Sequence, residues 1–197
     1  MNTDVKNHSV AFGWVGIAAI AAFCIMWLAC FQADGFWTWG VNSLSDFGVS
    51  ATAAADYFNY GCIVCGVLFA IYGVGKIHYA RATGYQVSGI MFVLAGICFV
   101  MVGIFTKDFH HGDYHYFFAV LSFIFFTAAL LAGAIQQYYD GMVLPVGAAI
   151  IILLTVILMG MTFTFAEAEV WAAVAFLIWG IIDAGLLIAT GIKGGKQ

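Results

Sequence analysis

Residues 105–116 read Phe105-Thr106-Lys107-Asp108-Phe109-His110-His111-Gly112-Asp113-Tyr114-His115-Tyr116, a polar stretch set between two long apolar runs. It carries three of the five histidines and two acidic residues, in a chain whose charged residues make up only 8%. The flanking runs, at about 87–106 and 115–137, are each long enough as helices to cross a ~30 Å hydrocarbon layer. Working outward, the same pattern recurs at about 11–33, 57–78, 143–165 and 170–191. Soluble domains run at roughly 45–50% apolar and about 25% charged residues. This chain of 197 residues is 64% hydrophobic, with a mean hydropathy of +1.03. The expectation is therefore all-α: a polytopic integral membrane protein, one transmembrane domain over 1–197 built as a bundle of six helices, with no room for a soluble domain.

An even number of crossings puts both termini on one side. That side then holds Lys6, Lys76, Arg81, Lys193 and Lys196, five of the six basic residues. The far side holds Lys107 together with Asp34, Asp46, Asp56, Asp108, Asp113, Glu167 and Glu169. The positive-inside rule predicts cytoplasmic termini and a cell-membrane location, with the long loops outside. His8 and His78 fall on the cytoplasmic side, where solvation is expected. A net charge of −4 with no basic cluster argues against a nucleic-acid partner and leaves membrane lipids as the natural one. The cysteines Cys24, Cys30, Cys62, Cys65 and Cys98 all lie in apolar runs, so Cys62 and Cys65 read as small packing residues rather than a redox pair. Gly89, Gly96 and Gly103 recur every seven residues and form a stripe on helix 3. Such a stripe lets another helix approach closely and is a candidate surface for a partner protein.

If helix 4 starts near Asp108, then Asp108, His111 and His115 fall on one helical face. Two histidines at i and i+4 with a carboxylate nearby suit a divalent metal such as zinc, which activates water when a coordination position is open. Asp46 in the first loop is then a ligand or base, with Ser43 and Ser45 as hydrogen-bonding groups. Without a metal, Asp46, Asp108 and His115 with a serine suit nucleophilic chemistry. A plainer reading has Asp108 as a helix cap and the histidines bonding backbone or lipid headgroups. Glu167 and Glu169 read as the polar turn before helix 6. Asp183 stands inside helix 6, where a carboxylate is costly; it either serves a proton or cation path or ties helix 6 to a neighbour.

The order Ser43-Leu44-Ser45-Asp46-Phe47-Gly48, then Phe58-Asn59-Tyr60-Gly61 with Gly66, then Gly103-Ile104-Phe105-Thr106-Lys107-Asp108 and His115-Tyr116-Phe117-Phe118 resembles a prokaryotic, largely archaeal, six-span membrane family called domain of unknown function 998. More distantly it is similar to the Frag1/DRAM/Sfk1 membrane proteins. Thr106 departs from that pattern, standing where relatives often carry proline. The resemblance implies six helices and a polar site formed by the first and third interhelical loops, with dealings in lipid. It points to Ser43, Ser45 and Asn59 as substrate-binding candidates beside Asp46, Asp108 and His115, and carries no reaction with it.

Overall fold

The structure is a computed structural model describing residues 3–80 and 82–193, with side chains from 8 to 192 apart from Arg81. Lys6, Arg81, Lys193 and Lys196, on which the expected orientation leans, lie outside the side chains described. Six helices follow one another: α1 (Thr3–Ala33), α2 (Ala54–Tyr79), α3 (Thr83–Ile104), α4 (Asp113–Tyr139), α5 (Val143–Thr162) and α6 (Phe165–Lys193). All six are long and apolar enough to cross a membrane. Among the described residues there is no strand. The chain is an all-α, multi-pass membrane protein.

Local chemistry explains where the helices stop. Gly141, at φ 73°, ends α4. Its N–H bonds the Tyr138 carbonyl at 3.0 Å and the Met142 N–H bonds that of Gln137 at 2.9 Å, the paired arrangement that a left-handed residue after a helix allows. Pro145 sits in the first turn of α5, where its missing N–H has no intrahelical partner to lose. Helix 6 begins earlier than the sequence suggests. Thr164 Oγ1 and the Thr164 N–H both donate to Glu167 Oε2 at 3.0 Å, and the Glu167 N–H returns a 3.3 Å bond to Thr164 Oγ1. This reciprocal cap starts α6 at Phe165, so Ala166–Glu169 belongs to its first two turns and not to the loop.

Helix 4 begins later than the one-face reading of its histidines requires. Gly112, His110 and His111 all have positive φ (83°, 46° and 55°), so the chain turns here before α4 starts at Asp113. Left-handed backbone at two histidines breaks the register that would align Asp108, His111 and His115.

Each helix packs on the next in the chain, and α6 closes the ring against α1. Between α2 and α3 the approach is backbone to backbone. A Cβ on Gly96 would stand 2.4 Å from the Gly66 carbonyl oxygen, one on Gly89 2.8 Å from that of Gly73, and one on Gly103 2.4 Å from that of Asn59. The glycine stripe of helix 3 is thus covered by α2 of the same chain, which removes it as an open surface for a partner protein. α5 lies outermost against α4 and α6, burying only Ala149 and Ile152. The main core gathers under α1, α2, α3, α4 and α6, with Phe23, Phe58, Phe69 and Phe92 at its centre. All five cysteines are free, and Cys62 and Cys65 are packed inside it.

Candidate functional site

At the face opposite the termini, the loop after α1 folds into a 3-10 turn, Leu44–Val49. Asp46 starts this turn by accepting the Ser43 N–H on Oδ2 at 2.7 Å. The Trp37 indole N–H donates to the Ser43 carbonyl at 3.0 Å, and Trp37 stacks on the buried Phe47. The loop is therefore held by its own polar groups and anchored by its aromatics. Lys107, arriving from beyond α3, donates from Nζ to Ser43 Oγ at 2.7 Å and to Asp46 Oδ1 at 2.5 Å. Ser43 Oγ in turn lies 3.1 Å from Ser45 Oγ. Partial burial raises the Asp46 carboxyl, but the bond and charge of Lys107, with the Ser43 bonds, outweigh it and hold the group below its ordinary value. Lys107, a lone cation among acids in the sequence, was the legible sign of this pairing.

Beneath the loop stand two groups from distant helices. Glu169, in the second turn of α6, accepts the Leu44 N–H on Oε2 at 2.9 Å. It is a fixture of the site, where the sequence offered only a turn residue. His115, in the first turn of α4, is 1% exposed and its Nδ1 lies 2.8 Å from the Phe105 carbonyl oxygen. A carbonyl only accepts, so Nδ1 carries the hydrogen. The other ring nitrogen, Nε2, is buried without a partner.

His115, Ser45 and Glu169 share one wall of a cavity that runs inward among Phe58, Phe69, Phe92, Phe99, Phe126 and Phe176 to Trp179 and Gly180. Its volume is about 80 Å³. Glu169 and Trp179 are ten positions apart on α6, so the cavity reaches roughly 15 Å along the bundle at 1.5 Å per residue. One end is polar and the rest is apolar and mostly aromatic; below the rim the wall carries the Ser122 hydroxyl and Trp179, whose indole N–H is buried without a partner. The Ser122 hydroxyl donates back to the Ala119 carbonyl at 2.7 Å, so it adds little polarity to the wall.

The other sequence candidates lie apart from the cavity. Asn59 donates from Nδ2 to the Gly48 carbonyl at 3.0 Å and ties α2 to the loop. Gly48 is needed there, since a Cβ would meet Asn59 Oδ1 at 2.8 Å. Asp108 is exposed and accepts from Thr106 Oγ1, and His111 is exposed on the strained turn. His115 alone of the three expected metal ligands points inward. Among the described residues, no three His, Cys, Asp or Glu side chains converge to hold a metal ion. The positive-φ turn at His110 and His111 is the physical reason.

A second polar cluster lies in the half of the bundle nearer the termini. Asp183 Oδ2 accepts Lys76 Nζ at 2.5 Å and the Tyr72 hydroxyl at 2.8 Å, and Lys76 also donates to Ser88 Oγ at 2.8 Å. Lys76 and Asp183 are both 3% exposed. Lys76, counted from the sequence among the basic residues of the terminal side, is the buried partner of Asp183. Tyr72 and Lys76 are four residues apart on α2, one face of a helix, and that spacing was the available signal.

No curated protein and no solved structure matches the chain. A family model described as "Protein of unknown function (DUF998)" matches residues 16–192, from the middle of α1 to the end of α6 and through both polar clusters, so the chain belongs to the DUF998 family of membrane proteins.

Proposed function

We propose that this protein recognises a membrane amphiphile, holding its polar head at Ser45, His115 and Glu169 and its chain among the phenylalanines below. One observation carries this reading: His115 Nε2 is buried, unpartnered and on the wall of an otherwise aromatic cavity. A polar atom left unpaired away from water costs about 1–3 kcal/mol, and a ligand group that pairs with it recovers that. Size narrows the class. At ~10–15 Å³ per water-sized group, the cavity holds a stretch of a single chain and is too small for the two tails of a glycerophospholipid. With cytoplasmic termini, the polar end opens toward the outer leaflet. The metal-dependent hydrolysis considered from the sequence has no convergent ligand set among the described residues to rest on. Transport through Asp183 is disfavoured, because Lys76 neutralises it inside the bundle and the intervening cavity is aromatic.

The test is extraction. Protein purified in mild detergent and washed through several exchanges should retain a single-chain amphiphile in stoichiometric amount, read by mass spectrometry. Ala119→Phe and Ala173→Phe each place a ring in the cavity and should abolish that load while the protein still elutes as a single sharp species. Equal loads in the wild type and in both well-folded variants would overturn the reading.

A further inference from the structure

We infer that the amphiphile's head is a hydrogen-bond donor, a hydroxyl or an amine, and not a phosphate; this rests on the cavity reading above and adds the chemistry of the head.

Two of the three polar groups at this end of the cavity, His115 and Glu169, present acceptors; the third, the Ser45 hydroxyl, lies 3.1 Å from Ser43 Oγ. The Phe105 carbonyl holds the hydrogen on His115 Nδ1. Burial without an ion-pair partner favours the neutral ring, and in that ring Nε2 is a bare lone pair. Beside it, Glu169 brings a carboxyl group whose Oε2 already takes the Leu44 N–H. Two acceptors facing one enclosed space call for a donor between them. An alkyl alcohol meets that need with its hydroxyl hydrogen, and a primary amine meets it with more than one hydrogen.

A phosphate head meets the opposite situation. Phosphate sites are made by cations or by convergent backbone N–H groups, and none of the residues on the cavity wall is Lys or Arg. The nearest cation of the far face, Lys107, is already engaged by Asp46 and Ser43. Lining up phosphate oxygens against a carboxyl and a bare imidazole nitrogen would be repulsive. The site therefore discriminates by what it lacks as well as by what it offers.

The experiment holds the chain constant and changes only the head. Protein in phosphatidylcholine nanodiscs is titrated with radiolabelled dodecanol, with empty nanodiscs subtracted, and unlabelled dodecanol, dodecylamine and dodecyl phosphate then compete. Saturable dodecanol binding is expected, displaced by dodecylamine, with dodecyl phosphate at least tenfold weaker. In Glu169→Gln, whose amide keeps an acceptor for the Leu44 N–H while adding donors, the gap between alcohol and phosphate should narrow severalfold. His115→Phe, which removes the lone pair and keeps a ring, should narrow it too. If the three heads compete equally, or phosphate wins, the donor-head inference fails while the cavity reading stands. If none binds saturably, both fail. If the preference survives unchanged in both variants, the head is not read by these residues and the inference falls.

Discussion

Lys76 and Asp183 are the residues at which a single change should be felt most. Each is buried within helices that span the membrane, and each is satisfied through the other, with Tyr72 and Ser88 completing the set. Taking away one charge strands its partner, a loss of about 3–5 kcal/mol in buried pairs. Lys76→Met and Asp183→Asn should therefore each lower unfolding stability in detergent by about that much. The double variant should lie above either single one, because no charge remains buried and the Asn oxygen still accepts the Tyr72 hydroxyl. Thermal or denaturant unfolding of the four proteins forms a double-mutant cycle. Losses that simply add would show that the pair is not coupled. Half of this arrangement was legible in the sequence. A carboxylate in mid-helix stands out by its cost, but a lysine near a helix end reads as a side chain reaching for water. Its partner lies 107 positions along the chain, a distance no local pattern spans.

Among the elements, the α2–α3 pair depends on glycine for its geometry and α5 does not. A methyl group on Gly96 would meet the Gly66 carbonyl at 2.5 Å or less, and backbone on both sides leaves nothing free to move aside. Gly96→Ala should destabilise the protein by about 1–3 kcal/mol through overpacking. Gly147 on α5 has no atom within 4 Å of a built Cβ. Gly147→Ala should be neutral or stabilising by up to about 1 kcal/mol, the helix-propensity difference. Melting temperatures of the two variants in one detergent decide this, and equal losses would mean the helix contact is not as close as described. The stripe itself was plain in the sequence because its seven-residue period is local; which helix covers it was not. Helix starts divide in the same way. Thr164-Phe165-Ala166-Glu167 is a readable capping pattern, and reading it would have placed Glu169 inside α6. Gly112 also signalled a break before α4. The positive φ of His110 and His111 could not be read, since L-residues adopt it only under constraints set by the rest of the fold. Ser43, Ser45 and Asp46 were recognisable together because one loop holds them. Their partners come from elsewhere in the chain, Lys107 from the turn after α3 and Glu169 from α6, and only the closed ring brings them near.

For the whole molecule, the functional reading depends on which way the bundle faces, and the burial of Lys76 alters that argument. A lysine committed to Asp183 inside the bundle no longer counts as a loop cation. Lys6, Arg81, Lys193 and Lys196 remain for the terminal side against Lys107 on the far side, by position in the sequence. Lys107 is itself paired with Asp46. The imbalance therefore persists, and it lies close to the helix ends, where it sets orientation. The expected topology has both termini in the cytoplasm, with the Ser45–His115–Glu169 end of the cavity toward the outer leaflet. Fusions after Gln197 measure this directly in a bacterial host: a fluorescent protein that folds only in the cytoplasm should light up, and alkaline phosphatase, active only outside, should stay silent. The reverse pattern would overturn the assignment and turn the cavity's polar end to the inner leaflet. The cavity and its donor preference would be untouched, since they rest on side chains within the bundle, but the pool of amphiphile within reach would then be the cytoplasmic one. Reversing the charge bias supplies the complementary check. Replacing Lys193 and Lys196 with Gln while adding two Lys beside Asp34 should weaken or invert the reporter pattern if these charges set the orientation, and should leave it unchanged if they do not.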